Sequence, residues 1–342
     1  MLFKNREDES STFAAKFAPI FHYQLTDRIH FLMEPEFELE DDETNFELKI
    51  GEIDIFLNDY ATLVAGKFLL PFNVFSERLH PTWINKMPSL PVIYGPSSIV
   101  PVMSDVGVQL RGGVPLPISK GSKLNYAFYI SNGPRFIEGE EHAEGEEEHA
   151  EGEEPVGGEP AGFAALRDGG AEGEEGEAHL GFGGNFTDNN SNKAVGGRIG
   201  ILPIWNVELG ASFMFADAGH NVDIFLFGLD GEYHYRDLEL RGEYIYLDND
   251  IEIDGDRDKQ GYYLQGAYRL SAVSIENSKV QDFINRLEPV VRYGRVYKSG
   301  HDPQQLALGL EYWITSSVPI KLAYEINDNV PNAFLIQLAF GF

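Results

Sequence analysis

In extended conformation, Gln305-Leu306-Ala307-Leu308-Gly309-Leu310-Glu311-Tyr312 places Leu306, Leu308, Leu310 and Tyr312 on one side and Gln305, Ala307, Gly309 and Glu311 on the other. Side chains of a strand alternate between its two faces, so this period of two predicts a strand with one apolar and one polar face. Residues 238 to 246 read the same way, with Leu238, Leu240, Tyr244 and Tyr246 opposing Glu239, Arg241 and Glu243. Three charges on that face argue against a packed apolar interior. Residues 29 to 39 turn Ile29, Phe31, Met33, Phe37 and Leu39 one way and Glu34, Glu36 and Glu38 the other, and Pro35 predicts a bulge or irregular pairing there. The chain closes on residues 333 to 342, whose even positions Phe334, Ile336, Leu338, Phe340 and Phe342 are all large and apolar.

Such segments, each about ten residues long and divided by turn residues, are the pattern of a transmembrane antiparallel β-barrel whose apolar faces meet lipid. The final segment, ending on an aromatic side chain, resembles the closing strand of a bacterial outer-membrane barrel. About 15 strands are visible. Short turns on one side and long loops on the other place loops at 40 to 44, 72 to 105, 133 to 191, 217 to 221, 248 to 258, 298 to 304 and 327 to 331. Turns then fall near 26 to 28, 58 to 61, 115 to 122, 202 to 205, 234 to 237, 271 to 287 and 315 to 318. On this register the strand from Thr12 to Leu25 runs toward the turn side, so an even-stranded barrel needs one strand before it. That strand is expected to be missing or badly represented by residues 1 to 10, which also lack the apolar core of a signal peptide. About 16 strands enclose an aqueous channel.

Composition narrows the picture further. The chain holds 36 glycines, 24 phenylalanines and 16 tyrosines, and no cysteine, which excludes disulfides and thiolate metal sites. No stretch approaches the roughly 18 apolar residues of a spanning helix. A mean hydropathy of -0.25 is compatible with a barrel, because polar lumen residues alternate with lipid-facing ones. The formal charge of -29 argues against nucleic acid as a partner. No nucleotide-binding, nucleophile-elbow or zincin motif is present, and Asp230, Glu232 and His234 stand at successive same-face positions about 7 Å apart, too far for catalysis by direct contact. No enzymatic activity and no required cofactor are expected.

Three passages resemble the phosphate-selective porin O/P-like family. They are residues 53 to 75 with Gly66-Lys67-Phe68-Leu69-Leu70-Pro71-Phe72, then Leu287-Glu288-Pro289-Val290-Val291-Arg292-Tyr293, and Trp313-Ile314-Thr315 through Phe342. Asn73 stands where the family's pattern leads one to expect glycine. The resemblance implies a 16-strand barrel with an inward-folded loop and says little about the solute.

Residues 72 to 105 are too long for a hairpin connection. They carry Arg78, His80 and Lys86 among many prolines and apolar residues, which points to a packed loop folded into the lumen as a constriction, or else to a cap over the mouth. Residues 133 to 191 form an acidic Glu/His-rich loop. Between positions 138 and 177 it has 16 acidic residues against the single base Arg167, and a seven-residue repeat brings His142 and His149 beside Glu146 and Glu147. Histidine with carboxylate can hold a divalent cation, although the composition favours a solvated, self-repelling acidic tuft.

Expected inward charges include Glu34, Glu36, Lys67, Arg111, Asp230, Glu232, Glu239, Arg241 and Arg292, a set mixed in sign that leans acidic. Acidic rings favour cations and basic rings favour anions. The sequence therefore points to a bacterial outer-membrane porin for passive diffusion of small hydrophilic solutes or ions through an acidic mouth. The alternatives are an anion-selective porin of the phosphate type and a non-conducting scaffold of a larger surface assembly. Expected partners are outer-membrane lipid and lipopolysaccharide, small solutes or ions, and further copies of the chain (a trimer) or other envelope proteins.

Overall fold

The computed structural model describes residues 1–6, 11–40, 43–95, 98–137, 179–182, 192–219, 222–253, 256–272, 277–298, 302–328 and 330–341. Its strands are β1 (Leu2–Arg6), β2 (Thr12–Phe17), β3 (Phe21–Thr26), β4 (Ile29–Glu40), β5 (Glu43–Asn58), β6 (Ala61–Leu69), β7 (Ser104–Pro115), β8 (Lys123–Ser131), β9 (Arg135–Ile137) and β10 (His179–Gly181). They continue as β11 (Ala194–Ile204), β12 (Val207–Asp217), β13 (Asp223–Tyr235), β14 (Leu238–Ile253), β15 (Asp256–Tyr268), β16 (Leu287–Tyr297), β17 (Gln304–Thr315), β18 (Val318–Asn327) and β19 (Ala333–Leu338). All except the β9–β10 pair belong to one 17-stranded sheet. Because β2 and β3 are two stretches of a single stave along β4, the sheet is a closed antiparallel barrel of sixteen staves.

Closure decides between the two expectations for the first strand: it is not missing but lies within residues 1 to 10. The strand that parity requires is β1 itself, which pairs with β19 on one side and β2 on the other, so that Leu2 faces both Gln337 and Ala14. Five residues are too few to show an alternation, which hid this strand in the sequence.

The break between β2 and β3 has a covalent cause. Pairs Phe17↔Phe37 and Phe21↔Met33 keep one register across the gap, which sets Pro19 opposite Pro35. Neither proline has an N–H to donate, so the ladder lapses there. On the other edge of β4, the pairing shifts from Glu34↔Ile50 to Pro35↔Leu48, leaving Lys49 as the extra residue of a bulge. The bulge inverts the alternation of β5. Glu47 turns inward before it, and Glu52 and Asp54 turn inward after it, while Phe46 and Ile53 face out.

Outward positions form an exposed apolar belt that includes Phe31, Phe37, Leu240, Leu308, Leu322 and Leu338. Leu308 is 46% exposed, whereas Glu311 on the other face of the same strand is fully enclosed. A continuous apolar exterior around a closed barrel is a lipid-facing surface, since it leaves no backbone edge unpaired. At the end opposite the long loops, the connection from β15 to β16 carries a short helix, α1 (Ser278–Asn285), capped by Asn277, whose side chain accepts from the amides of Lys279 and Val280. β14 and β15 extend through much of the 248 to 258 stretch expected to be loop.

The interior is not uniformly polar. Phe68, Phe72, Phe75, Ile93, Tyr94, Ile99 and Met103 join Met214, Leu226, Ile245, Leu247 and Tyr263 of the wall in one buried apolar cluster. Leu180 of β10 and Phe182 just after it add to it. The expectation that charges would exclude an apolar interior thus holds for only half of β14. Glu239, Arg241 and Glu243 line the half near the short turns, and Ile245 and Leu247 line the half toward the long loops.

Candidate functional site

The segment joining β6 to β7 lies inside the barrel, and each of its contacts can be traced to a wall residue. The Asn73 amide donates to Ser212 Oγ (2.9 Å) on β12, and the Phe75 amide to Glu243 Oε1 (2.7 Å) on β14. Tyr94 O–H donates to the other oxygen of Glu243 at 2.6 Å. Farther along the wall, Lys86 pairs with Glu288 of β16 at 2.5 Å and Glu239 of β14 at 3.4 Å. Arg292 of β16 donates to the carbonyls of Ser89 and Leu90, both at 2.9 Å. Lys321 of β18 donates to the carbonyls of Thr82 and Asn85. The segment therefore lines the inner wall from β12 to β18.

Local sequence makes this course possible. Val74 precedes a single wide helical turn at Phe75–Leu79. Asn73 has a φ of +54°, a left-handed conformation that asparagine tolerates better than most residues other than glycine. The departure from glycine thus leaves the backbone turn intact. The wall accommodates the segment at small residues. A Cβ on Gly309 would stand 2.5 Å from Met87 Sδ, and one on Gly228 would overlap the Asn73 side chain.

Most of the charged residues singled out in the sequence are tied up in pairs. Lys67 is enclosed beside Glu47 at 3.4 Å. Asp230 takes the Arg198 guanidinium through both oxygens, at 2.9 and 2.5 Å. Glu239 contacts Arg241, Lys86 and His234. Arg292 is buried against the segment, and Glu34 is buried on the inward face of β4. His234 and Glu232 approach to 4.0 Å, closer than their backbone spacing implies. With Asp230 committed to Arg198, these three residues form no acid–base–nucleophile set.

Three cations behave differently. Lys16 pairs with Glu36 at 2.6 Å, with side-chain exposures of 37% and 9%. Arg78 pairs with Glu208 at 3.1 Å, with exposures of 39% and 12%. Arg111 pairs with Glu52 and Asp54 at 3.0 and 2.7 Å, and is 35% exposed against their 3% and 7%. In each case the base faces the open lumen and the acid lies behind it. Glu52 and Asp54 escaped the sequence reading because alternation counted from Glu47 puts them on the wrong face until the Lys49 bulge is known.

On the segment itself, His80 is half-buried with its Nδ1 closed off from solvent and without a hydrogen-bond partner. Burial, and the positive charges of Lys16 and Lys49, push its pKa down to about 4. Burial also works against charge on Lys86, but Glu239 and Glu288 outweigh it and hold the pKa above the usual lysine value. Burial and the neighbouring Glu243 carboxylate push the Tyr94 hydroxyl well above the usual tyrosine range. His142, His149, Glu146 and Glu147, with the rest of the acidic repeat, lie outside the described residues.

No family model and no curated protein matches the sequence. Solved structures do match the fold. Salmonella typhi OmpF in complex with daunomycin superposes with a TM-score of 0.60 at 9% identity, over 100% of this chain and 95% of that one. The anion-selective porin from Comamonas acidovorans gives 0.56 at 11% identity, over 98% and 94%. OmpT with its loop L8 deleted, an outer membrane protein of Vibrio cholerae, gives 0.54 at 12% identity, over 99% and 95%. The chain has the fold of bacterial outer-membrane porins.

Proposed function

We propose that this chain is an outer-membrane porin through which small hydrophilic solutes diffuse passively, and that its narrowest passage presents bases to the solute. The observation that carries this reading is the asymmetry of the lumen ion pairs: the side chains of Lys16, Arg78 and Arg111 are 35% to 39% exposed and those of Glu36, Glu208, Glu52 and Asp54 only 3% to 12%, while Glu77 beside Arg78 lies between at 23%. A solute meets the exposed member first, so anions are favoured at this level. The segment between β6 and β7 supports a constriction, because it occupies lumen volume that sixteen staves alone would leave to water.

A second reading rests on the entrance. The 16 carboxylates between positions 138 and 177 concentrate cations within a Debye length, roughly 8 Å at physiological salt and farther when dilute. Reversal potentials in a KCl gradient across planar bilayers separate the two. If the bases dominate, the intact protein prefers anions, and replacing residues 138 to 177 by a short Gly-Ser linker sharpens that preference. Cation preference at low salt that disappears with the linker assigns selectivity to the mouth. A purified, folded barrel that never conducts overturns the porin reading in favour of a scaffold.

A further inference from the structure

At the short-turn end of the lumen, two histidines on adjacent strands face each other. His22 of β3 and His30 of β4 have ring centroids 5.2 Å apart and planes 25° from parallel. His22 Nδ1 lies 3.2 Å from His30 Nε2. His30 Nδ1 is 3.4 Å from Asp54 Oδ2 on β5, and Asp54 Oδ1 accepts from Arg111 at 2.7 Å. His22 is exposed, so lumen water reaches the pair.

These contacts select the tautomer of neutral His30. A carboxylate only accepts, so the neutral form of His30 that binds a metal carries its proton on Nδ1 and turns the lone pair of Nε2 toward His22. A carboxylate behind the far nitrogen of an imidazole is the arrangement by which proteins orient metal-binding histidines and raise their basicity. We propose that His22 Nδ1 and His30 Nε2 bind one divalent transition cation of the copper, nickel or zinc class, with Asp54 as the positioning residue.

The spacing suits this role. Metal–imidazole bonds of about 2.0–2.1 Å meeting at the tetrahedral angle hold two nitrogens roughly 3.4 Å apart. The two rings need separate by only a few tenths of an ångström, and neutral His22 need only carry its proton on Nε2. Imidazole nitrogen selects the copper, nickel and zinc class over calcium or magnesium, which prefer oxygen. Among the described residues no three His, Cys, Asp or Glu side chains converge as a metal set. The site therefore offers two protein nitrogens, and water completes the shell. Such a site holds a cation reversibly, as one lying on a diffusion path must.

Cu2+ titrated into the intact, folded barrel and followed by electron paramagnetic resonance tests the proposal. One bound Cu2+ should show hyperfine coupling to two imidazole nitrogens. Replacing residues 138 to 177 by a Gly-Ser linker removes His142 and His149 and should leave that signal unchanged. In the linker protein, His22→Ala or His30→Ala should abolish the two-nitrogen pattern, with His22→Gln as the second variant should alanine disturb assembly. Asp54→Asn should keep the pattern and weaken Cu2+ binding about 10- to 100-fold. His234→Ala should change nothing. Loss of the signal with the acidic loop alone overturns the proposal, as does identical binding by the linker protein and its His22→Ala, His30→Ala double variant.

Discussion

Glu243 and Tyr94 are separated by 149 residues, yet the tyrosine hydroxyl lies 2.6 Å from one oxygen of the carboxylate. The other oxygen accepts the Phe75 amide at 2.7 Å. One wall carboxylate thus holds both the outgoing and the returning arm of the segment inside the barrel. Phe75 stacks on Tyr94 with centroids 5.0 Å apart, so the two arms also pack on each other at that point.

Removing the carboxylate with Glu243→Ala leaves two buried donors without an acceptor, at a cost of about 1–3 kcal/mol each. The expected result is an assembled barrel with a loosened segment, seen as larger and noisier single-channel currents. Tyr94→Phe removes one donor and should have the smaller effect. Currents from Glu243→Ala that match wild type would show that the Lys321 and Arg292 contacts hold the segment without Glu243.

Deleting residues 79 to 95 removes the stretch that lies against Glu288, Arg292 and Lys321. Single-channel conductance should rise. Unchanged conductance would place the narrowest point elsewhere in the barrel.

Acid should loosen the same segment through His80. Its pKa of about 4 in the docked state lies below the ordinary 6.5, so docking favours the neutral ring. Above pH 6.5 both docked and free states are neutral and there is no penalty. Between about 6.5 and 4 the free state takes up a proton that the docked state refuses, and stability is lost progressively, up to about 3 kcal/mol. Current fluctuations recorded from pH 7 down to 4 should increase in wild type. His80→Gln should remove the component that titrates in this window.

On the lipid face, Leu308→Arg should cost about 2–4 kcal/mol near mid-membrane. Urea unfolding of the barrel in lipid vesicles measures this directly. Stability equal to wild type would place Leu308 away from the hydrocarbon.

Alternation by itself determined which face of β14, β17 and β19 meets lipid, because lipid and water impose opposite demands on neighbouring residues and the record of those demands is local. Asn73 and Pro35 were also legible locally, one as a glycine-like turn position and the other as a fault in pairing. Tertiary structure decided what depends on distant partners. The Lys49 bulge reset the parity of β5 and brought Glu52 and Asp54 inward, and only the pairing with β4 reveals it. Leu2–Arg6 became a stave because β19 and β2 lie on either side of it. Polar and apolar inward residues look alike as a pattern, so the apolar cluster could be read only once the segment had closed on Ile245 and Leu247. The accessibility of Lys16, Arg78 and Arg111 follows from carboxylates supplied by other elements, which no alternation within one strand encodes.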